Sequence, residues 1–261
     1  MSRYATMFER LRASNEGAFG AFLMLGDPDL ETSGRLLDAC VEGGADMIEV
    51  GIPFSDPVAD GPVIQAAAER ALASGVRPGD ALALLADFRG RHPDIPAGIL
   101  TYANLVVARG VETFCRACAA AGADSLLVAD VPAFEAEPFA AALTAAGLHP
   151  VLIAATNTPP DTLARIARLG SGYTYCLARA GVTGAGDQVS FDHRALLNGL
   201  ASNEASPPIF GFGISRPDHV RAALAAGAAG VISGSAIVQL GAEGPERVKA
   251  FVAEMKAATR A

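Results

Sequence analysis

Short apolar runs that do not alternate with polar residues recur along this chain, separated by alanine-rich segments of helical pattern, and this rhythm limits the folds open to it. The runs cover residues 19–25, 47–50, 98–102, 125–129, 151–154, 173–177, 208–212 and 230–233. A strand covered on one face alternates apolar and polar side chains, whereas an unbroken run suits a parallel strand covered on both. Helical patterns such as 32–43, 111–121, 134–146 and 216–226 lie between them, and no Ser/Gly/Pro linker divides the 261 residues. Eight such units in about 250 residues predict one α/β domain over 1–261, a (β/α)8 TIM barrel with extra helices in the N-terminal region and after strand 8. A doubly wound sheet would carry a glycine-rich turn after its first strand, but that turn reads Gly26-Asp27-Pro28-Asp29. Two connections are long. Residues 51–96 have room for two helices, and 178–207 include Gly181, Gly184 and Gly186. In a barrel both open onto the C-terminal face, where active sites lie, so both are lid candidates, the second through its glycine-rich stretch 179–188.

Charge narrows the function classes. Twenty Lys and Arg against 28 Asp and Glu leave a net charge of −8, which weighs against nucleic acid or an anionic membrane as partner. The longest uncharged stretch, 222–242, is broken by Gly227, Gly230, Gly234 and Gly241 and reads as helix end, buried strand and loop. Arg3, Glu9, Arg10 and Arg12 precede any apolar run, so no signal peptide is expected and the chain reads as cytoplasmic. Cys115 and Cys118 form a CxxC inside a helical pattern, without a second pair or a nearby His, and are read as a helix face.

The strand ends then supply the candidate chemistry. Glu49 sits inside an apolar run; pointing inward it would be desolvated, its pKa raised, and suited to general acid–base work. On spacing alone a structural carboxylate hydrogen-bonded to backbone fits as well. The following loop, Gly51-Ile52-Pro53-Phe54-Ser55-Asp56-Pro57-Val58-Ala59-Asp60-Gly61-Pro62, adds two carboxylates, and local chemistry slightly favours Asp60 as the cap of a helix starting at Pro62. Gly211-Phe212-Gly213-Ile214-Ser215 and Gly234-Ser235-Ala236 follow the last two strands, where glycines let backbone N–H groups approach a phosphate. The only lysines, Lys249 and Lys256, fall in the final helix, so no strand-end Schiff base is available. His92, His149, His193 and His219 are scattered, and no metal cluster is expected. Carboxylate chemistry on a phosphorylated small molecule remains.

The segment from Glu49 to Pro62 closely resembles the signature of the tryptophan synthase alpha subunit family. The resemblance runs along nearly the whole chain, through Gly26-Asp27-Pro28, Tyr102 with Asn104, Asp130 with Pro132, Gly181-Val182-Thr183-Gly184, Gly211-Phe212-Gly213-Ile214 and Gly234-Ser235-Ala236. It implies a lyase that cleaves indole-3-glycerol phosphate to indole and glyceraldehyde 3-phosphate in tryptophan biosynthesis, with no metal and no cofactor in this chain. Glu49 would be the mobile acid–base, and Asp60 would hold the indole N–H and steady the charge that develops on the ring. The implied indole pocket is Phe22, Leu100, Tyr102, Leu127, Ala129, Ile153, Tyr175 and Phe212. The phosphate and lid residues are Thr183, Gly184, Gly213, Gly234 and Ser235.

The resemblance also implies a partner, a beta subunit carrying pyridoxal phosphate in an alpha2-beta2 tetramer. Asp56, Asn104, Leu105, Asp130 and Pro132 would form the contact surface. Leu105 and Ala155 stand where the family usually has proline, and Ala178 where serine commonly precedes the loop arginine; none of these touches the two carboxylates. A free-standing lyase and a catalytically silent regulatory subunit are the alternatives. Retention of Glu49, Asp60, Thr183 and the phosphate-site glycines argues against silence.

Overall fold

The computed structural model describes residues 1–177 and 193–260. The expected lid at 179–188, with Thr183 and Gly184, lies outside the described residues, as does Ala178.

Among the described residues, nine strands form one parallel sheet: β1 (Ala18–Met24), β2 (Met47–Gly51), β3 (Ala97–Thr101), β4 (Ser125–Val128), β5 (His149–Pro150), β6 (Leu152–Ala154), β7 (Thr174–Leu177), β8 (Pro208–Gly211) and β9 (Gly230–Ser233). Their order is β5-β4-β3-β2-β1-β9-β8-β7-β6. The two ends of that order, β5 and β6, are one stretch of chain separated by Val151, whose N–H donates to the Leu126 carbonyl at 3.1 Å. The sheet therefore closes into the eight-stranded barrel expected from the sequence, with the fifth strand split in two. Pro150 explains the split, because it has no N–H to give to a ladder.

Helices surround the sheet: α1 (Arg3–Ala13), α2 (Leu30–Glu42), α3 (Pro62–Ala73), α4 (Pro78–Arg91), α5 (Ala103–Val107), α6 (Val111–Ala120), α7 (Glu137–Ala145), α8 (Pro160–Leu169), α9 (Arg194–Ser202), α10 (Pro217–Ala225), α11 (Ser235–Gly241) and α12 (Pro245–Ala257). The connection from Gly51 holds two of them, α3 and α4, as expected. The helix expected at 134–146 starts later, at Glu137, with Pro138 in its first turn. Cys115 and Cys118 are buried on α6 and unbridged. Among the described residues no helix is long and apolar enough to cross a membrane.

Strand side chains sort by parity into two buried layers. Phe19, Ala21, Leu23, Ile48, Val50, Ala97 and Ile99 pack outward against the helices. Phe22, Met24, Met47, Leu127, Tyr173, Tyr175, Ile209 and Ile232 pack inside the barrel. Both faces of each strand thus lie away from water, which is the physical origin of the unbroken apolar runs. Helix α1 closes the N-terminal mouth with Tyr4, Met7 and Leu11, which join the inner layer.

Ion pairs clamp that same end. Asp46, 4% exposed, accepts from the Phe19 backbone N–H at 2.9 Å and pairs with Arg10 at 2.7 Å and Lys256 at 2.8 Å. Lys256 also pairs with Glu16 at 2.9 Å, so α1, β1 and α12 meet on one carboxylate. A second clamp sets Asp124 between Arg3 and Arg89, each at 2.8 Å. Without Asp46 the buried Phe19 N–H would lose its acceptor, while Lys256 would keep Glu16 and Arg10 would turn to solvent. Asp46→Ala is expected to lower stability by about 2 kcal/mol in urea unfolding, while indole release below the transition stays at the parent level.

Candidate active site

A cavity of about 250 Å³ opens at the C-terminal mouth of the barrel. Its wall takes Phe22 from β1, Glu49 from β2, Leu100 from β3, Ile153 from β6, Tyr175 from β7 and Ile232 from β9, together with Asp60, Ala129 and Phe212 from the loops beyond the strands. Each strand ends at the same mouth because all run parallel, so residues distant in sequence converge there.

Glu49 belongs to the inward series of β2. In the ladder it stands beside Phe22 on one side and Gly98 on the other, and Gly98 stands beside Ser125. A Cβ at Gly98 would come within 2.6 Å of Ser125 Oγ and 3.0 Å of the Tyr4 hydroxyl, so only glycine leaves room for the polar side chains gathered below Glu49. Tyr173 donates its hydroxyl to Glu49 Oε1 at 2.7 Å, and Tyr4 and Ser125 share a hydrogen bond of 2.8 Å. Oε2 of Glu49 is buried with no hydrogen-bond partner among the described residues. Burial pushes the Glu49 carboxyl up to about 7, partly opposed by the Tyr173 hydrogen bond, and the nearby charge of Asp60 adds a smaller push upward.

Asp60 does not cap α3. Gly61 holds that position and makes no side-chain bond, while the Asp60 side chain accepts a hydrogen bond from the Tyr102 hydroxyl. The Ala59 N–H donates to that same hydroxyl at 3.2 Å, and Gln65 Nε2 donates to the Asp60 carbonyl at 2.7 Å, so carboxylate and backbone are both fixed. The setting is less polar than the loop sequence suggests. Asp60 is 8% exposed, and burial raises its carboxyl to about 6, against the lowering effect of the Tyr102 bond.

Of the eight expected indole-pocket residues, six line the cavity: Phe22, Leu100, Ala129, Ile153, Tyr175 and Phe212. Tyr102 and Leu127 do not. Tyr102 turns its hydroxyl to the Asp60 loop and stacks on Phe54 at 5.4 Å, and Leu127 is packed within the inner layer. Phe212 has a φ of 69°, uncommon for a bulky residue, and crosses Tyr175 edge-on at 6.2 Å. Gly211 precedes it because a Cβ there would overlap the Tyr175 hydroxyl and ring.

Gly213, Gly234 and Ser235, the described residues of the expected phosphate site, line the cavity. Ser233 Oγ donates to the Ile214 carbonyl at 2.6 Å and ties the turn after β8 to the end of β9. Thr183 and Gly184 lie outside the described residues. Among the described residues no three His, Cys, Asp or Glu side chains come together as metal ligands.

The five residues expected at a partner surface all follow β2, β3 or β4. Asp56, Asn104, Asp130 and Pro132 are exposed, and Leu105 is half-buried against the outer layer. Asp130 accepts from the Ala103 N–H at 2.7 Å, and Asp56 from Ser55 Oγ at 2.6 Å. Ala155, in place of the usual proline, donates its N–H to Thr158 Oγ1 at 2.8 Å, a bond proline could not make. Sequence reasoning missed Tyr173, although it lies two residues before Tyr175 and so shares the inward face of the same strand. It also missed Val63, Ile64, Arg216, His219 and Gln239 of the cavity wall, which come from helices and turns rather than strands.

The tryptophan synthase alpha chain family model matches residues 8–261. The tryptophan synthase alpha chain of Shewanella amazonensis is 50% identical over 266 residues, covering 99% of this chain and all of the relative. That of Cronobacter sakazakii is 51% identical over 266 residues, covering 99% of each. A solved structure of Mycobacterium tuberculosis tryptophan synthase superposes with a TM-score of 0.90 at 35% identity, covering 100% of this chain and 99% of that one.

The raised carboxyl of Glu49 has a consequence for stability. An unfolded Glu ionises near 4.5 and the folded one near 7, so between those values the folded state holds more protons, and this group makes stability fall as pH rises through the window. Glu49→Gln is therefore expected to be more stable than the parent at pH 8, by up to about 3 kcal/mol. The gain should fade toward pH 4.5. Urea unfolding at several pH values checks this, and a variant less stable than the parent at pH 8 would contradict the desolvation argument.

Proposed function

The chain belongs to the tryptophan synthase alpha chain family, and from that premise we propose how its two carboxylates divide the work. The family reaction is a carbon–carbon lyase step of tryptophan biosynthesis, in which indole-3-glycerol phosphate gives indole and glyceraldehyde 3-phosphate. The chain itself supplies no cofactor; pyridoxal phosphate belongs to the beta subunit. Retro-aldol cleavage needs a proton delivered to the ring carbon that bears the side chain, and a proton removed from the adjacent glycerol hydroxyl. The carbon–carbon bond then breaks, leaving indole and an aldehyde.

Glu49 suits both transfers. With its carboxyl near 7 it is close to half protonated at neutral pH, so it can give a proton to carbon and, as the carboxylate, take one from the hydroxyl. Its unpartnered Oε2 is the atom for that exchange. Asp60, near 6, is mostly ionised under the same conditions, and would accept the indole N–H and steady the cationic ring formed on protonation. Phe22, Leu100, Ile153 and Phe212 would clasp the flat ring, and the turns at Gly213 and Gly234–Ser235 would hold the phosphate. The observation that carries this reading is two buried carboxyls facing one apolar cavity, both raised by burial toward the range of general acid–base work.

The test is indole release from indole-3-glycerol phosphate. Glu49→Gln keeps the shape but cannot cycle a proton, so turnover should fall by about 10²-fold or more while phosphate-ligand binding survives. Indole release near the parent rate would remove Glu49 from the mechanism.

The beta subunit would dock on the loops after β2, β3 and β4. Besides Asp56, Asn104, Leu105, Asp130 and Pro132, these loops expose Val58, Val107 and Phe134, at 70%, 50% and 67%. Apolar side chains left in water and grouped on one face fit a docking surface. The loop with Asp56 and Val58 also carries Asp60, so docking would favour the arrangement that holds substrate. Added beta subunit should raise indole release at least about tenfold, or about 1.4 kcal/mol of barrier. Asp56→Ala should blunt that activation more than it lowers the basal rate, and full basal activity without association in the ultracentrifuge would favour a free-standing lyase. A cytoplasmic setting accords with four free, buried cysteines.

A further inference from the structure

The cavity carries its acids, Glu49 and Asp60, on the wall that would hold the ring, yet its ligand ends in a phosphate with up to two negative charges. Among the described residues, two side chains in the wall can bear positive charge, Arg216 and His219. Arg216 forks onto Asp218, at 3.1 and 3.3 Å. His219 is different. It is 8% exposed and sits in the first turn of α10, directly after the turn at Gly211–Ser215.

The imidazole is held in place. The Ser215 N–H donates to Nδ1 at 3.4 Å, which makes Nδ1 the acceptor and puts the proton of the neutral ring on Nε2. Nε2 itself makes no hydrogen bond to the described residues and is not among the sealed, unpartnered atoms of the core. The bond from Ser233 to Ile214 keeps this turn against the end of β9, so Gly213, Gly234, Ser235 and His219 border one part of the cavity. The N-terminal end of α10 adds a favourable dipole for an anion. Asp218, the acid of that turn, is exposed and already gripped by Arg216.

We propose that His219 is a specificity-determining residue of the phosphate subsite, its Nε2–H donating to the substrate phosphate beside the backbone N–H groups of the two glycine turns. This rests on the phosphate reading given above. The contact is made equally in ground and transition states, since the phosphate does not react, and so it acts on binding rather than on the chemical step.

Glycerol 3-phosphate and indole are the probes, titrated by calorimetry into the parent chain, His219→Ala and His219→Gln. Alanine should weaken glycerol 3-phosphate about tenfold, the scale of one hydrogen bond to a charged group, and leave indole unchanged. Glutamine, which keeps a donor at similar reach, should recover most of the loss. In kinetics with indole-3-glycerol phosphate, alanine should raise KM about tenfold with kcat little changed. Equal glycerol 3-phosphate affinity in parent and alanine variant would overturn the proposal. Equal losses for both probes, or no recovery by glutamine, would also overturn it and make His219 structural. A parent that binds glycerol 3-phosphate but releases no indole would end the lyase reading and leave His219 to be judged by binding; a parent that binds neither would end both.

Discussion

A carboxyl enclosed in an apolar barrel is stable only if it keeps its proton or finds compensating donors, and the arrangement inside this protein follows from how Glu49 meets that constraint. One donor, the Tyr173 hydroxyl, reaches Oε1, and Oε2 is left with none. That is too little to hold the charged form at an ordinary carboxylate pKa and enough to keep the group in one place. The bare backbone of Gly98 makes the arrangement possible, since any side chain there would push into Ser125 and Tyr4. Helix α1 takes part as well, because Tyr4 rises from it into the barrel beneath the acid. The N-terminal helix is thus both a lid on the core and a support for the site.

The clamps and the cavity sit at opposite ends of the barrel. The N-terminal mouth is sealed by Tyr4, Met7 and Leu11 and clamped by Asp46 and Asp124 with their arginines and Lys256. These clusters have their hydrogen bonds made and offer nothing to a ligand. The C-terminal mouth has an orphaned carboxyl oxygen, a phenylalanine with positive φ and an open cavity. Locally unfavourable features of this kind persist only where the surrounding structure fixes them, and here the closed sheet does so.

The two acids differ in how they are held. Asp60 is fixed through a loop by Tyr102 and Gln65, whereas Glu49 is carried on a strand and fixed by its neighbours in the ladder. Burial raises both carboxyls, Glu49 at 1% exposed and Asp60 at 8%.

The amino-acid sequence alone pointed to the barrel, because strands buried on both faces are written as unbroken apolar runs and the turn after the first strand lacks the glycines of a doubly wound sheet. It also marked Glu49, the one charge in the run at 47–50, and the glycine turns after the last two strands, since both break a local rule. It left open whether Asp60 was a helix cap, and took Tyr102 and Leu127 for cavity wall. Those points were decided by tertiary structure, for a physical reason. A cap or a pocket wall depends on which side chain meets which across strands and helices far apart in the chain. Tyr102 reaches Asp60 across 42 positions and Tyr173 reaches Glu49 across 124, and no local pattern encodes either meeting.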